Sequence, residues 1–191
     1  MPIDPEARVA RSAILTGDVR IGPGSCVLDG AILSDHGAAV TIGHDTIVME
    51  GALLRGTPHH PVVIGDNVIV GPKAYLTGCA IGSRSFIATN ASVFTGAVVE
   101  EDAEVRIGAI VHLRTRIPSG TTVPIGWVAV GDPAVILPPD RHGEIWAAME
   151  PLDFPGFVFG VPRGSVDEPM VEITRRYTRT LRRRMDGGEV R

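Results

Sequence analysis

Residues 99–129 read VEEDAEVRIGAIVHLRTRIPSGTTVPIGWVA and place Val99, Val105, Val111, Ile117, Val123 and Ala129 six residues apart. Four residues after each aliphatic stands Ala103, Ala109, Thr115, Thr121 or Trp127. A period of six matches neither a helical stripe nor simple strand alternation, so the repeating unit is a short strand followed by a turn. The phase extends upstream through Ile64, Val70, Leu76, Ile81, Ile87 and Val93, with one five-residue step at TGCA. It is carried earlier by Leu15, Ile21, Val27 and Leu33 and resumes at Ile42, Val48 and Leu54. The four-position offsets there, among them Val19, Ser25, Ala31, Thr46, Ala52, Ala74, Ser85 and Ala91, are small or β-branched.

This pattern resembles the hexapeptide-repeat left-handed β-helix from about residue 9 to 135. Three hexads would make one triangular coil, with aliphatics filling the prism and small residues at its corners. The chain is therefore expected to be mainly β: a left-handed parallel β-helix of roughly six coils, each stabilised by its neighbours, with C-terminal α-helices packed on it. The expected divisions are a lead-in over 1–8, the β-helix over 9–139 and a C-terminal extension over 140–191.

Steps of nine between Leu33 and Ile42 and of ten between Leu54 and Ile64 predict two outward loops, SDHGAAVT and RGTPHHPVV. Loops leaving a rigid scaffold are where sites are commonly built. Beyond the GDPA turn, Asp140 can cap a short helix that Pro151 stops. LDFPGFVFGVPRGS reads as an extended strap, Asp167 to Met185 as a basic amphipathic helix, and the last residues as a frayed tail. The arginines of that helix, Arg175, Arg176, Arg179, Arg182, Arg183 and Arg184, read as a solvated face, the alternative being a surface for an anionic ligand or partner.

A net charge of −4 argues against a nucleic-acid partner, which needs a basic surface. The N-terminal stretch MPIDPEARVA has no charged region leading into an apolar run, and no window is long and apolar enough to span a bilayer. The expected location is the cytoplasm, without membrane association. Cys26 and Cys79 form no CxxC pair and read as free thiols packed near corners.

From Gly17 to Ala134 the chain is similar to γ-class carbonic anhydrases. The segments carrying the resemblance are IGPGSCVLDGAILSD, IGHDTIVMEGALLRG, HPVVIGDNVIVGPKAYLTGCAIG and IPSG with VGDPA. The resemblance implies a homotrimer with an active site between subunits, where three histidines hold zinc. In the stretch similar to TIVMEGALLR the family ends on His where this chain has Arg55. In the stretch similar to IGDNVIVGPKAYLTGC its two histidines fall on Pro72 and Thr77. Arginine offers donors only, proline has no side-chain donor atom, and a threonine hydroxyl is a poor zinc ligand. The family's Asn and Gln fall on Ile47 and Met49, and its Asp on Glu50. Its Arg-Gly-Asp triplet appears as Leu33, Ser34 and Asp35. No metal is therefore expected, and CO2 hydration is expected to be lost, because a bound water reaches a useful pKa only on a metal.

The register places Arg55, Thr77, Phe94 and His112 in one column, at about 4.8 Å per coil. Glu50, Pro72 and Thr89 fall in another, followed by Lys73 and Asn90 and preceded by Met49. In a trimer like the family's, these columns would face each other across the subunit interface. One reading makes Arg55 a carboxylate or phosphate clamp and Glu50 a general acid or base, with His60 as a second candidate. Substrate contacts are then expected from Asp35, Met49, His59, Pro72, Lys73, Thr77 and Phe94. The other reading makes Arg55 and Glu50 a structural ion pair between subunits. His59 and His60, on the longer loop, could swing over the cleft, and His112 reads as a surface residue.

The expected function is metal-independent catalysis on a small, anionic organic substrate. The alternatives are a non-catalytic trimeric scaffold and an acyltransferase, transferase-like in its use of coenzyme A as the one expected cofactor. Fold alone does not choose among them.

Overall fold

The computed structural model describes residues 3–186. It divides into two compact units, 3–145 and 146–186; the expected frayed tail lies outside the described residues. No helix in the described residues is long and apolar enough to cross a membrane.

The first unit is a parallel β-helix. Short strands recur in sheets of seven, eight and six members, and each pairs in parallel with the strand one coil away except Val135–Leu137, which returns antiparallel to Val128–Val130. The seven-stranded sheet pairs Arg8 with Cys26, Cys26 with Ile47, Ile47 with Ile69, Ile69 with Phe86, Phe86 with Glu104 and Glu104 with Thr122. That makes about seven turns where the hexad count predicts six. The incomplete coils entered at Arg8–Val9 and left at Val128–Val130 each add a strand that counting whole hexads omits.

The hexad aliphatics point inward. Leu33, Leu54, Leu76, Val93 and Val111 fill one wall of the prism, and Val27, Val48, Val70, Ile87 and Val105 fill a second. Ile21, Ile42, Ile64, Ile81, Val99 and Ile117 fill the third. Each buried side chain of this size contributes about 1.5–3 kcal/mol relative to exposure. At the corners Ala31, Ala52, Ala74, Ala91 and Ala109 are buried because only a small side chain fits inside the bend. Where a corner residue is polar it is matched: the Ser25 hydroxyl donates to the Gly43 carbonyl at 2.8 Å, and that of Thr46 to the Gly65 carbonyl at 2.9 Å.

Cys79 occupies such a corner, and burial pushes its thiol up to about 12. Cys26 differs from expectation: it lies on the strand Cys26–Val27 and is only half-buried, because strand alternation turns it away from the inward Val27.

Both insertions are tied down. The His36 amide donates to the Gly56 carbonyl at 3.0 Å, and the Ala38 carbonyl lies so close to Gly56 that a Cβ there would sit 1.8 Å from its oxygen. The longer insertion is closed by reciprocal bonds: the Thr57 amide donates to the His60 carbonyl at 2.8 Å, and the His60 amide to that of Thr57 at 2.9 Å. Beneath this turn Gly78 has φ +49, and a Cβ there would meet Thr57, His60 and Thr95 within 3.0 Å.

After the antiparallel return strand Val135–Leu137 come α1 (His142–Met149), α2 (Phe154–Phe159) and α3 (Pro169–Asp186). A helix therefore stands inside the stretch expected to be an extended strap. Asp153 caps it, accepting from the Gly156 amide at 3.4 Å, and Pro155 sits where no helical N–H is needed. Gly160, at φ +67, terminates it. On α3, Glu172 pairs with Arg175 and Arg176, each at 2.5 Å, which holds its carboxyl below the usual range. Arg176 also donates to the Gly160 carbonyl at 2.8 Å, and Tyr177 meets Phe159 edge-on at 5.6 Å, so α3 is anchored to α2.

Candidate functional site

Along the strands of the eight-stranded sheet, residues flanking an inward aliphatic project outward. They make two columns. One is Ile32, Leu53, Tyr75, Ser92, Ile110 and Val128. The other lies one position after the inward residues and contains Ser34, Arg55, Thr77, Phe94, His112 and Val130. The ladder joins Ser34 to Arg55 and Arg55 to Thr77 directly, as the repeat predicts.

Arg55 is the single fixed charge in these columns, and its Nε is buried with no hydrogen-bond partner. A buried donor left unmatched costs about 1–3 kcal/mol. The Thr77 hydroxyl is taken: it shares a hydrogen bond with that of Thr95 at 2.8 Å. Phe94 lies between Tyr75 and His112, with ring centroids 5.9 and 6.3 Å away.

His112 is 8% exposed, not the surface residue the sequence suggests. Its Nδ1 is buried without a partner, and burial pushes the imidazole below its ordinary pKa. Its position immediately after the inward Val111, on the same side as Arg55, was the available signal. Tyr75 could have been found likewise, two residues before Thr77 on one strand.

The second expected column occupies the corner leading into this sheet. The Lys73 amide donates to the Glu50 carbonyl at 2.9 Å, and the Asn90 amide to the Pro72 carbonyl at 3.0 Å. Glu50 and Lys73 are exposed, Met49 and Pro72 half-buried, and Lys73 takes a left-handed conformation at φ 57. Within one chain Glu50 and Arg55 are separated by the bend between strands Ile47–Val48 and Leu53–Gly56, and they form no ion pair.

Asp35 and His60 have local partners, whereas His59 is exposed. Asp35 accepts from the Gly37 amide at 2.6 Å and the Asp18 amide at 3.3 Å, which makes it a turn-forming carboxylate. His59 is exposed at φ 70, and His60 Nδ1 lies 3.3 Å from the Pro58 carbonyl. Both histidines lie at the end of the hydrogen-bonded Thr57–His60 turn.

The positions that the resemblance assigns to zinc do not suit it. Arg55 is a permanent cation, Pro72 has no side-chain donor atom, and the Thr77 hydroxyl, hydrogen-bonded to Thr95, is a poor zinc ligand. No cluster of three or more His, Cys, Asp or Glu suited to a metal occurs among the described residues of the single chain.

Stacked hexads around an aliphatic prism define a hexapeptide-repeat left-handed β-helix protein. Within that class the chain is γ-carbonic-anhydrase-like: it is 40% identical over 124 residues to Gamma carbonic anhydrase 1, mitochondrial, of Arabidopsis thaliana. That segment covers 62% of this chain and 45% of the plant protein. Carnitine operon protein CaiE of Escherichia coli is 29% identical over 101 residues, 53% of this chain and 52% of that protein. The chain thus spans about half the length of these curated relatives. Among solved structures, a perosamine N-acetyltransferase from Caulobacter crescentus, in complex with CoA and GDP-perosamine, has a TM-score of 0.43 at 27% identity. That likeness covers 70% of this chain and 54% of the other. No family model matches the chain.

Proposed function

We propose that this protein is a γ-carbonic-anhydrase-like trimer that neither holds zinc nor hydrates CO2, and that it acts as a metal-independent enzyme on a small organic anion between subunits. The observation carrying this reading is Arg55, the one fixed charge in the two outward columns, with a buried Nε that no group among the described residues accepts. A cation so placed calls for an anion from outside the chain. In the trimer, the corner bearing Met49, Glu50, Pro72 and Lys73 would come from the neighbouring copy and face Arg55. Arg55 would hold the anion, Glu50 would exchange a proton with it, and His60 is the second candidate for proton transfer.

The test is metal content and CO2 hydration of freshly purified protein, prepared without chelator and with an added-zinc control. Acetate-dependent thermal stabilisation is measured alongside, because an anion bound only to the folded protein raises its stability. The expected result is a trimer by light scattering, no stoichiometric zinc, no hydration, and an acetate shift that Arg55→Met removes. Stoichiometric zinc with hydration would overturn the reading and make His36, His59 and His60 the first residues to mutate.

A non-catalytic scaffold is the second reading, favoured by the local commitment of Asp35 to backbone amides and by the closed Thr57–His60 turn. It predicts a trimer with no acetate shift, in which Arg55 of one copy is paired with Glu50 of the next. Glu50→Gln separates the two readings: it destabilises the scaffold's trimer, whereas in the enzyme it leaves the trimer and the acetate shift intact.

A further inference from the structure

The face around Arg55 extends well beyond one small anion. Arg55 and His112 belong to one column and stand three ladder steps apart, about 14 Å at 4.8 Å per step. Each keeps a buried nitrogen that nothing among the described residues satisfies, Nε on Arg55 and Nδ1 on His112. Thr77 adds little polarity between them, because it is 5% exposed and its hydroxyl is hydrogen-bonded to that of Thr95. The rest of the interval is aromatic: Tyr75, Phe94 and His112 form a run of tilted rings with centroid separations of 5.9 and 6.3 Å. Leu53 and Ile110, in the same column as Tyr75, border this run and are half-buried.

Resting on the reading of Arg55 as an anion site, we propose that this face binds an elongated carboxylate. Its head lies on Arg55, its apolar body on Phe94 and Tyr75, and a hydroxyl or carbonyl near its far end on His112. A single guanidinium with no second cation in either column suits a monoanionic carboxylate better than a phosphate dianion. The imidazole of His112, kept neutral by burial, presents one donor and one acceptor and so suits a neutral polar group. The aromatic run supplies apolar contact area that acetate or bicarbonate cannot use.

Calorimetric titration of the full chain with acetate, octanoate and ω-hydroxyoctanoate tests this. Octanoate is expected to bind at least about tenfold more tightly than acetate, given the methylenes it buries. The ω-hydroxyl is expected to add about threefold, as one net hydrogen bond would. Phe94→Ala, or Phe94→Leu if the alanine variant does not fold, should reduce the octanoate advantage. His112→Leu should remove only the increment from the hydroxyl, and Arg55→Met should abolish binding of all three. Arg55-dependent acetate binding with no gain from chain length would overturn this inference and leave the anion site standing. Failure of all three ligands to bind would overturn both. Survival of the hydroxyl increment in His112→Leu would remove His112 from the site.

Discussion

Arg55 and Thr77 are direct partners in the parallel ladder joining strands Leu53–Gly56 and Tyr75–Thr77, and neither has the side chain of a usual zinc ligand. The guanidinium is permanently protonated, and the hydroxyl is engaged with Thr95 at 2.8 Å. The scaffold beneath them is the ordinary repeat, with Leu54 and Leu76 fully buried one residue earlier. Two of the three positions where the resemblance would put zinc ligands are thus in register, with different chemistry installed.

On the proposed reading, the triple replacement Arg55→His, Pro72→His and Thr77→His is expected to raise zinc binding above that of the wild type. Elemental analysis after dialysis checks it. Equal zinc in the two proteins would show that the metal positions have been misassigned. Zinc in neither would mean that the supporting shell lost at Ile47 and Met49 is also required, as partners of metal ligands commonly are.

Arg55→Met should leave the free energy of unfolding unchanged or raise it, by up to ~2 kcal/mol, because it removes a buried donor without a partner among the described residues and keeps apolar volume. The same variant should lose the acetate-dependent shift. Urea denaturation with and without acetate reads both effects. A large destabilisation would instead indicate that a neighbouring subunit pairs with Arg55.

Gly56→Ala should destabilise more than Gly108→Ala. At Gly56 the new Cβ would strike the Ala38 carbonyl and force apart the loop that closes on it, with an expected cost of about 3 kcal/mol or more. At Gly108 nothing lies within 4 Å, and only the left-handed backbone at φ +66 is strained, at about 1–2 kcal/mol. Equilibrium unfolding of the two variants gives the comparison.

His112 should make the protein acid-sensitive in a defined window. In the unfolded chain its imidazole takes up a proton near the ordinary pKa of 6.5, whereas burial keeps it neutral to lower pH in the folded state. The unfolded state then binds more protons, so stability falls as pH drops below 6.5 and levels off once folded His112 is also protonated. His112→Leu should flatten that part of the stability profile relative to wild type. An identical slope in both proteins would mean that His112 is not buried in solution.

The fold was legible because hexad periodicity is a packing rule that repeats in every coil. Once Leu54, Leu76 and Val93 are placed inside, alternation puts Arg55, Thr77 and Phe94 outside in one column. The extra residues between Arg55 and Thr77 did not obscure the register, because they are confined to the turn at Thr57–His60. The helix at Phe154–Phe159 was not legible, because a Pro- and Gly-containing stretch reads as extended until Asp153 is seen capping its first turn. His112 was misread because pattern assigns a direction to a side chain but not what covers it.

The sequence by itself determined the coil, its inward columns and the side chains standing where the resemblance would place zinc ligands, since all three follow from local period and residue chemistry. Only the tertiary structure decided which outward groups are buried without partners, that Thr77 is committed to Thr95, and that Asp35 and the Thr57–His60 turn are tied down locally. These depend on contacts between residues many positions apart, and a hydrogen bond is made or missed on differences of a few tenths of an ångström that no periodicity encodes.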